Sequence, residues 1–232
     1  DAQMLELATY VNVLQVEALG DSAEEIIAEA NRLVGIGLKK EKTVFKIPIS
    51  LEGTIACRKL VDDGFMVNLH LVYTVQQAYM AFRAGATYVC PLVGRLQDQG
   101  HDALGLVKTC VEIVEKYGYE SKVMFSSVRN SEHVKNALSI GVHTCTVPWG
   151  LMKKLTDNHF TEIGTNSFIE DTRALTTSVS AVTKINDITI GTSGKVMEAV
   201  LQMTRSGHGA VVVKNDDGSI YRIFTDGDLR RL

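Results

Sequence analysis

Lys46, in the segment VFKIPIS, is the residue whose type and surroundings point most directly to chemistry. Val44, Phe45, Ile47 and Ile49 mark a short apolar strand, with Pro48 near its end. An ammonium carried into such surroundings loses its hydration, and the usual escape is loss of the proton. A neutral amine at the C-terminal mouth of a parallel strand can attack a carbonyl carbon and hold it as a Schiff base. The plainer alternative is a lysine whose stem packs at the rim while its head reaches water. The strand alone favours the plainer reading. Asn68, Arg95, Ser127 and Arg129 shift the balance, because they fall at the ends of later apolar runs.

The elements that must position these residues alternate regularly. Strand-like runs occupy residues 11–17, 43–47, 67–72, 88–90, 122–126 and 143–147. Segments of helical period lie between them at 23–34, 52–62, 75–84, 104–117 and 132–140. Gly64, Gly85, Gly118 and Gly141 follow helical runs as stop signals. Ser50, Asn130 and Asp102 suit helix starts. Strand, helix and parallel strand in strict succession predict an α/β fold with a buried parallel sheet. Beyond a helix at 166–174, a bridge at 175–187 is rich in Thr, Ser and Val. A small βαββ-type unit follows, with a helix at 195–205, strands at 210–213 and 220–224 and a DDG turn between the strands.

At 232 residues the chain can hold one large domain or two smaller ones. Its 24 basic and 27 acidic residues leave a formal charge of −3, with no basic run that would suit a nucleic acid or a membrane surface. No apolar stretch approaches the ~20 residues of a membrane span. Cys57, Cys90, Cys110 and Cys145 are scattered in apolar settings with no CxxC pair. That pattern fits reduced, buried thiols in a cytoplasmic protein. His133, His143 and His159 show no metal-ligand spacing.

Together VFKIPIS, NLHLVYTVQQAYMAFRAGATYVCPLVGR and VMFSSVRN resemble the transaldolase family, in its compact branch with fructose-6-phosphate aldolase-like enzymes. The resemblance runs over residues 4–171. It implies a TIM-type (β/α)8 barrel, with its site at the C-terminal ends of the strands. By resemblance, Lys46 is the Schiff-base lysine and Glu17 the glutamate that positions a catalytic water. Asn68 is an asparagine for substrate hydroxyls, Arg95 and Arg129 are phosphate-binding arginines, and Ser127 is a serine beside that phosphate. A guanidinium fork suits a phosphate better than an ammonium does. Gln15 lies on the same face as Glu17, so a slip in the alignment would substitute an amide.

Three positions depart from the family. His70 replaces a threonine, and is either a proton relay or a satisfied core histidine. Cys90 replaces a serine at a substrate-binding position, and Leu92 replaces a phenylalanine or tyrosine. Six strands are visible where a closed barrel needs eight, so the expected fold is a barrel lacking its first two βα units, and the chain reads as a fragment. Those units would carry an aspartate acting as general acid/base.

The implied activity is transfer of a dihydroxyacetone unit between sugar phosphates. Sedoheptulose 7-phosphate and glyceraldehyde 3-phosphate would give erythrose 4-phosphate and fructose 6-phosphate, as in the pentose phosphate pathway. The alternatives are a fructose-6-phosphate aldolase-type lyase, or an impaired barrel serving nucleotide sensing. No cofactor is expected, because the iminium itself withdraws electrons. A homo-oligomer is expected. The C-terminal unit resembles a single, incomplete α+β CBS repeat, whose IFTDGDLR segment implies adenine-nucleotide contacts at Thr225 and Asp228. A plain strand-turn-helix cap is the competing reading there. The expected domains are residues 1–174, a linker at 175–187 and the CBS-like unit at 188–232.

Overall fold

Short runs that are apolar on one side form the strands of this chain, and each of the first five is followed by a helix that covers that side. The computed structural model describes residues 1–182 and 187–232. It divides into two compact units, Asp1–Asp157 and Asn158–Leu232.

The first unit opens with helix α1 (Ala2–Tyr10) and continues as β1 (Leu14–Glu17), α2 (Ala23–Gly35), β2 (Thr43–Pro48), α3 (Leu51–Asp62), β3 (Met66–Val72) and α4 (Val75–Arg83). Then come β4 (Tyr88–Pro91), α5 (Val93–Asp98), α6 (Ala103–Tyr117), β5 (Lys122–Phe125), α7 (Ser131–Ile140), β6 (Thr144–Cys145) and α8 (Trp149–Met152). All six strands pair in parallel and in chain order. The result is a curled half-barrel sheet, the sequential arrangement of a TIM-type barrel.

Period-2 alternation divides the strand residues between two faces. Val16, Phe45, Ile47, Val67, Leu69, Val89, Val123 and Phe125 turn toward the helices and join one large core. Each such side chain contributes roughly 1.5–3 kcal/mol through burial. The opposite face carries Gln15, Glu17, Lys46, Asn68, His70 and Cys90. The register aligns Glu17 with Lys46, Lys46 with Asn68, and His70 with Cys90.

The expected helix signals are present as bonds. Ser50, Asp102 and Asn130 accept from the backbone N–H of Gly53, Gly105 and His133. Gly64, Gly85, Gly118 and Gly141 all adopt positive φ after their helices. Helices α1, α5 and α8 of this unit are absent from the sequence expectation. Helix α1 precedes a strand shorter than its apolar run, which starts at Leu14 rather than residue 11. Helix α5 is a six-residue turn with no side-chain cap to announce it.

The second unit contains α9 (His159–Thr176), α10 (Val179–Val182), β7 (Thr189–Gly191), α11 (Val196–Ser206), β8 (Ala210–Lys214), β9 (Ile220–Thr225) and α12 (Asp226–Leu229). Its sheet is βαββ as expected, with β7 parallel and β9 antiparallel to β8. Ala199 and Met203 of α11 pack with Val211, Ile190 and Phe224. Helix α9 groups here, although residues up to 174 were expected with the barrel. The expected linker contains residues 183–186, which lie outside the described residues. A short final helix, α12, closes the unit, as in the strand-turn-helix reading of this segment.

Candidate active site

The sequence-selected residues of the first unit, Asn68 apart, lie near or just beyond the C-terminal end of a strand. Glu17 ends β1, Lys46 is third from the end of β2, Asn68 is third of the seven residues of β3 and His70 is third from its end. Cys90 is next to last in β4, while Ser127 and Arg129 follow β5. Because the strands are parallel and in register, three neighbouring strands bring an amine, a carboxylate and an imidazole together.

Lys46 Nζ donates to Glu17 Oε1 at 2.7 Å. His70 Nε2 lies 2.9 Å from Glu17 Oε2. That approach has the distance of a hydrogen bond but not its alignment, and among the described residues Nε2 has no other partner. Burial acts to raise the Glu17 pKa. The contacts with His70 and Lys46 outweigh it and hold the carboxyl below its usual range. Glu17 is therefore an ionised acceptor facing two nitrogen groups.

This corrects one expectation. Lys46 does not sit in a dry apolar slot: its side chain is 27% exposed and its nitrogen is bonded to a carboxylate. The proton that a nucleophilic amine must shed has a neighbouring acceptor, so desolvation need not drive it off. His70 also fits neither sequence reading completely. Its ring is buried, yet Nε2 meets a carboxylate instead of a well-aligned core partner.

The backbone beside His70 departs from regular strand geometry. Leu71 has φ +59°, and the β3–β4 register shifts between His70 and Val72. A non-glycine residue in the left-handed region is uncommon and costs energy. Ser127, after β5, is the second such residue, with φ +62°.

Asn68 is fully buried. Its Nδ2 donates to Gln15 Oε1 at 2.8 Å and approaches Met124 Sδ at 3.4 Å. Among the described residues its Oδ1 has no hydrogen-bond partner. Cys90 Sγ lies 2.8 Å from Ser126 Oγ. Burial pushes the Cys90 thiol up to about 11, against the Ser126 bond and the charge of Lys46. The thiol is neutral at neutral pH and is no nucleophile there.

The arginines occupy the next part of the rim. Arg95, on α5, donates to the Tyr73 hydroxyl at 3.5 Å. Arg129 is paired with Asp98, also on α5, at 2.5 Å. Gly94 lies against the backbone carbonyl of Ser127, and a Cβ built on it would stand 2.8 Å from Ser127 Oγ and 2.9 Å from Arg129 Nε. The Val93–Asp98 turn and the segment after β5 are thus packed against each other at the glycine. Sequence reasoning missed Asp98, Tyr73 and Ser126 as partners. The available signal was their place within a few residues of strand ends.

A family model described as transaldolase/fructose-6-phosphate aldolase matches residues 3–194. The chain belongs to that family. It is 37% identical over 158 residues to a probable transaldolase of Coprothermobacter proteolyticus, covering 68% of this chain and 71% of that protein. It is 35% identical over 172 residues to probable transaldolase 2 of Bacillus anthracis, covering 73% and 78%. A probable transaldolase of Prosthecochloris aestuarii is 40% identical over 149 residues, covering 64% and 66%. Among the described residues, no group of three or more His, Cys, Asp or Glu side chains could hold a metal ion. No described helix is long and apolar enough to cross a membrane.

In the second unit, Thr225 and Asp228 bond to each other. The Asp228 carboxylate accepts from Thr225 N and Oγ1, and Thr225 Oγ1 accepts from Asp228 N. This capping box starts α12, and Asp228 also pairs with Arg231. In this arrangement both side chains serve the cap.

Proposed function

We propose that this chain acts as a transaldolase, transferring a dihydroxyacetone unit between sugar phosphates through a Schiff base at Lys46. The observation that carries the reading is the 2.7 Å bond from Lys46 to an ionised Glu17 that also meets His70. Glu17 takes a proton from the Lys46 ammonium, which frees the lone pair to add to C2 of a ketose. The proton returns to the carbinolamine hydroxyl, which leaves as water. The iminium then accepts the electrons of the C3–C4 bond while Glu17, ionised again, takes the C4 hydroxyl proton through a water, releasing an aldose phosphate and leaving an enamine. Carbon 3 of the enamine bonds the aldehyde carbon of an acceptor sugar, whose oxygen receives the proton back from Glu17, and water hydrolyses the new iminium to release the ketose and the Lys46 amine.

His70, against the second Glu17 oxygen, keeps the carboxylate ionised between these transfers. Asn68 faces substrate hydroxyls, with Cys90 beside it. Arg95, Ser127 and Arg129 receive the phosphate, whose charge competes with Asp98 for Arg129. Leu92 fills a position where the aldolase branch carries a tyrosine, and the loss of that tyrosine, with glutamate at position 17, favours transfer over simple cleavage.

Borohydride reduction in the presence of fructose 6-phosphate tests the assignment. The expected product is a stable adduct on Lys46, absent in Lys46→Met, which keeps the side-chain length without the amine. With erythrose 4-phosphate added, sedoheptulose 7-phosphate should accumulate faster than free dihydroxyacetone. A wild-type protein that forms no adduct refutes the Schiff base, and release of free dihydroxyacetone alone refutes transfer.

A further inference from the structure

The buried Asn68 amide is half satisfied, and the missing half has a direction. Gln15 and Asn68 belong to β1 and β3, so their 2.8 Å hydrogen bond reaches across β2. Gln15 is aligned with Val44, and Asn68 with Lys46. The bond therefore crosses β2 diagonally between Val44 and the reactive lysine. On the other side of Asn68, Met124 of β5 meets the same nitrogen. Both amide protons face acceptors, which fixes the amide's orientation: its NH2 is used and its carbonyl oxygen is not. An unpaired acceptor on a fully buried side chain is costly and requires an explanation.

We propose that Gln15 is a positioning residue for the sugar-binding step, holding the Asn68 amide so that Oδ1 is kept as an acceptor for a hydroxyl of the ketose bound at Lys46. This rests on the Schiff-base reading above and adds to it the polarity of one contact. The group that meets Asn68 must donate. A hydroxyl qualifies; a carbonyl, an ether or a deoxygenated carbon does not. Without the Gln15 oxygen, the amide has no strong acceptor to select its orientation, because a thioether is a weak one. Turned over, Asn68 would present NH2 to the substrate in place of the oxygen.

The test compares dihydroxyacetone with hydroxyacetone, which lacks one hydroxyl, as donor ketones, measuring kcat/KM and borohydride trapping at Lys46. Wild type should prefer dihydroxyacetone, and Gln15→Met should shrink that preference about tenfold, the typical value of one lost neutral hydrogen bond. The trapped adduct and the melting temperature should both be retained. Gln15→Glu keeps an oxygen toward Asn68 and should keep the preference. If the methionine variant does not fold, Gln15→Asn, one methylene too short to reach, carries the same comparison. An unchanged preference with intact trapping overturns the role of Gln15 while leaving the Schiff base standing. So does a Gln15→Glu variant that behaves like Gln15→Met. A wild type that traps neither ketone overturns both readings.

Discussion

Gly94→Ala should damage the phosphate end of the site although it adds only one methyl group. Gly94 precedes Arg95 in α5 and lies against the segment carrying Ser127 and Arg129. An added Cβ would overlap the Ser127 backbone carbonyl, with Ser127 Oγ at 2.8 Å and Arg129 Nε at 2.9 Å, where ordinary contact begins at 3.4 Å. The hydroxyl and Nε must each retreat by roughly half an ångström, and the carbonyl by about an ångström. The carbonyl cannot swing aside as a flexible side chain would, and Ser127 already has φ +62°. Overpacking of this kind costs about 1–3 kcal/mol, or about 2–12 °C in Tm for a unit of this size. A shift of about 1 Å in a substrate-positioning group costs about 100-fold in rate.

Thermal melts and kinetics with fructose 6-phosphate and with dihydroxyacetone separate the two effects. The loss in kcat/KM should fall mainly on the phosphorylated sugar. The same substitution at Gly164 in α9 is the control, because a Cβ there meets nothing within 4 Å. Gly164→Ala should stabilise by about 0.5–1 kcal/mol through helix propensity. If Gly94→Ala keeps both its Tm and its activity toward the phosphorylated sugar, the packing argument at the rim is wrong.

Three further outcomes are expected. Arg129→Ala should raise KM for fructose 6-phosphate far more than for dihydroxyacetone, by about 10–100-fold for a lost charge-assisted contact; equal effects on the two substrates would exclude a phosphate role. His70→Ala removes a group that holds Glu17 below the usual carboxylate range against burial, so the Glu17 pKa rises and the acid limb of the pH–rate profile moves to higher pH. The linkage has a definite sign: a depressed carboxylate contributes stability above its unfolded pKa and loses it as pH falls through the folded one, so the variant should lose this contribution at a higher pH, and an unmoved acid limb would contradict it. Burial pushes Cys57 and Cys110 up to about 12 and Cys90 to about 11. In the native protein at pH 8, iodoacetamide should therefore reach Cys145, the one partly exposed cysteine, well before the others; early labelling of Cys90 in a peptide map would place it in a more open site.

Much of this arrangement was legible in the sequence because it depends on local patterns. Apolar runs of three to seven residues alternating with helical period specify parallel strands and covering helices. Ser50, Asp102 and Asn130 announce helix starts through the hydrogen bonds they make. With the order of strands set, Lys46, Asn68 and His70 had to share a rim. The pairings were not legible. Whether Lys46 meets Glu17 or water depends on β1 and β2 aligning residue 17 with residue 46, a one-residue matter that no local pattern fixes. Asp98 drew no reading from the sequence, and its bond to Arg129 depends on a turn that carries no cap signal.

The two left-handed residues show why the site was harder to read than the core. Glycine announces positive φ, and all four predicted glycine stops have it. Leu71 and Ser127 give no such notice, since neither residue type favours that region. Both lie immediately beyond site residues, Leu71 after His70 and Ser127 after Ser126, the partner of Cys90. At Leu71 the chain also leaves its register with β4. A regular strand would continue strict alternation through residues 70–72, with one side chain of each pair turned to the helices. The irregularity lets β3 end with His70 against Glu17 and Val72 fully buried in the core. Core positions follow the period, so sequence finds them. Site positions break the period under tertiary constraint, and the energy for doing so comes from the packed sheet beneath them.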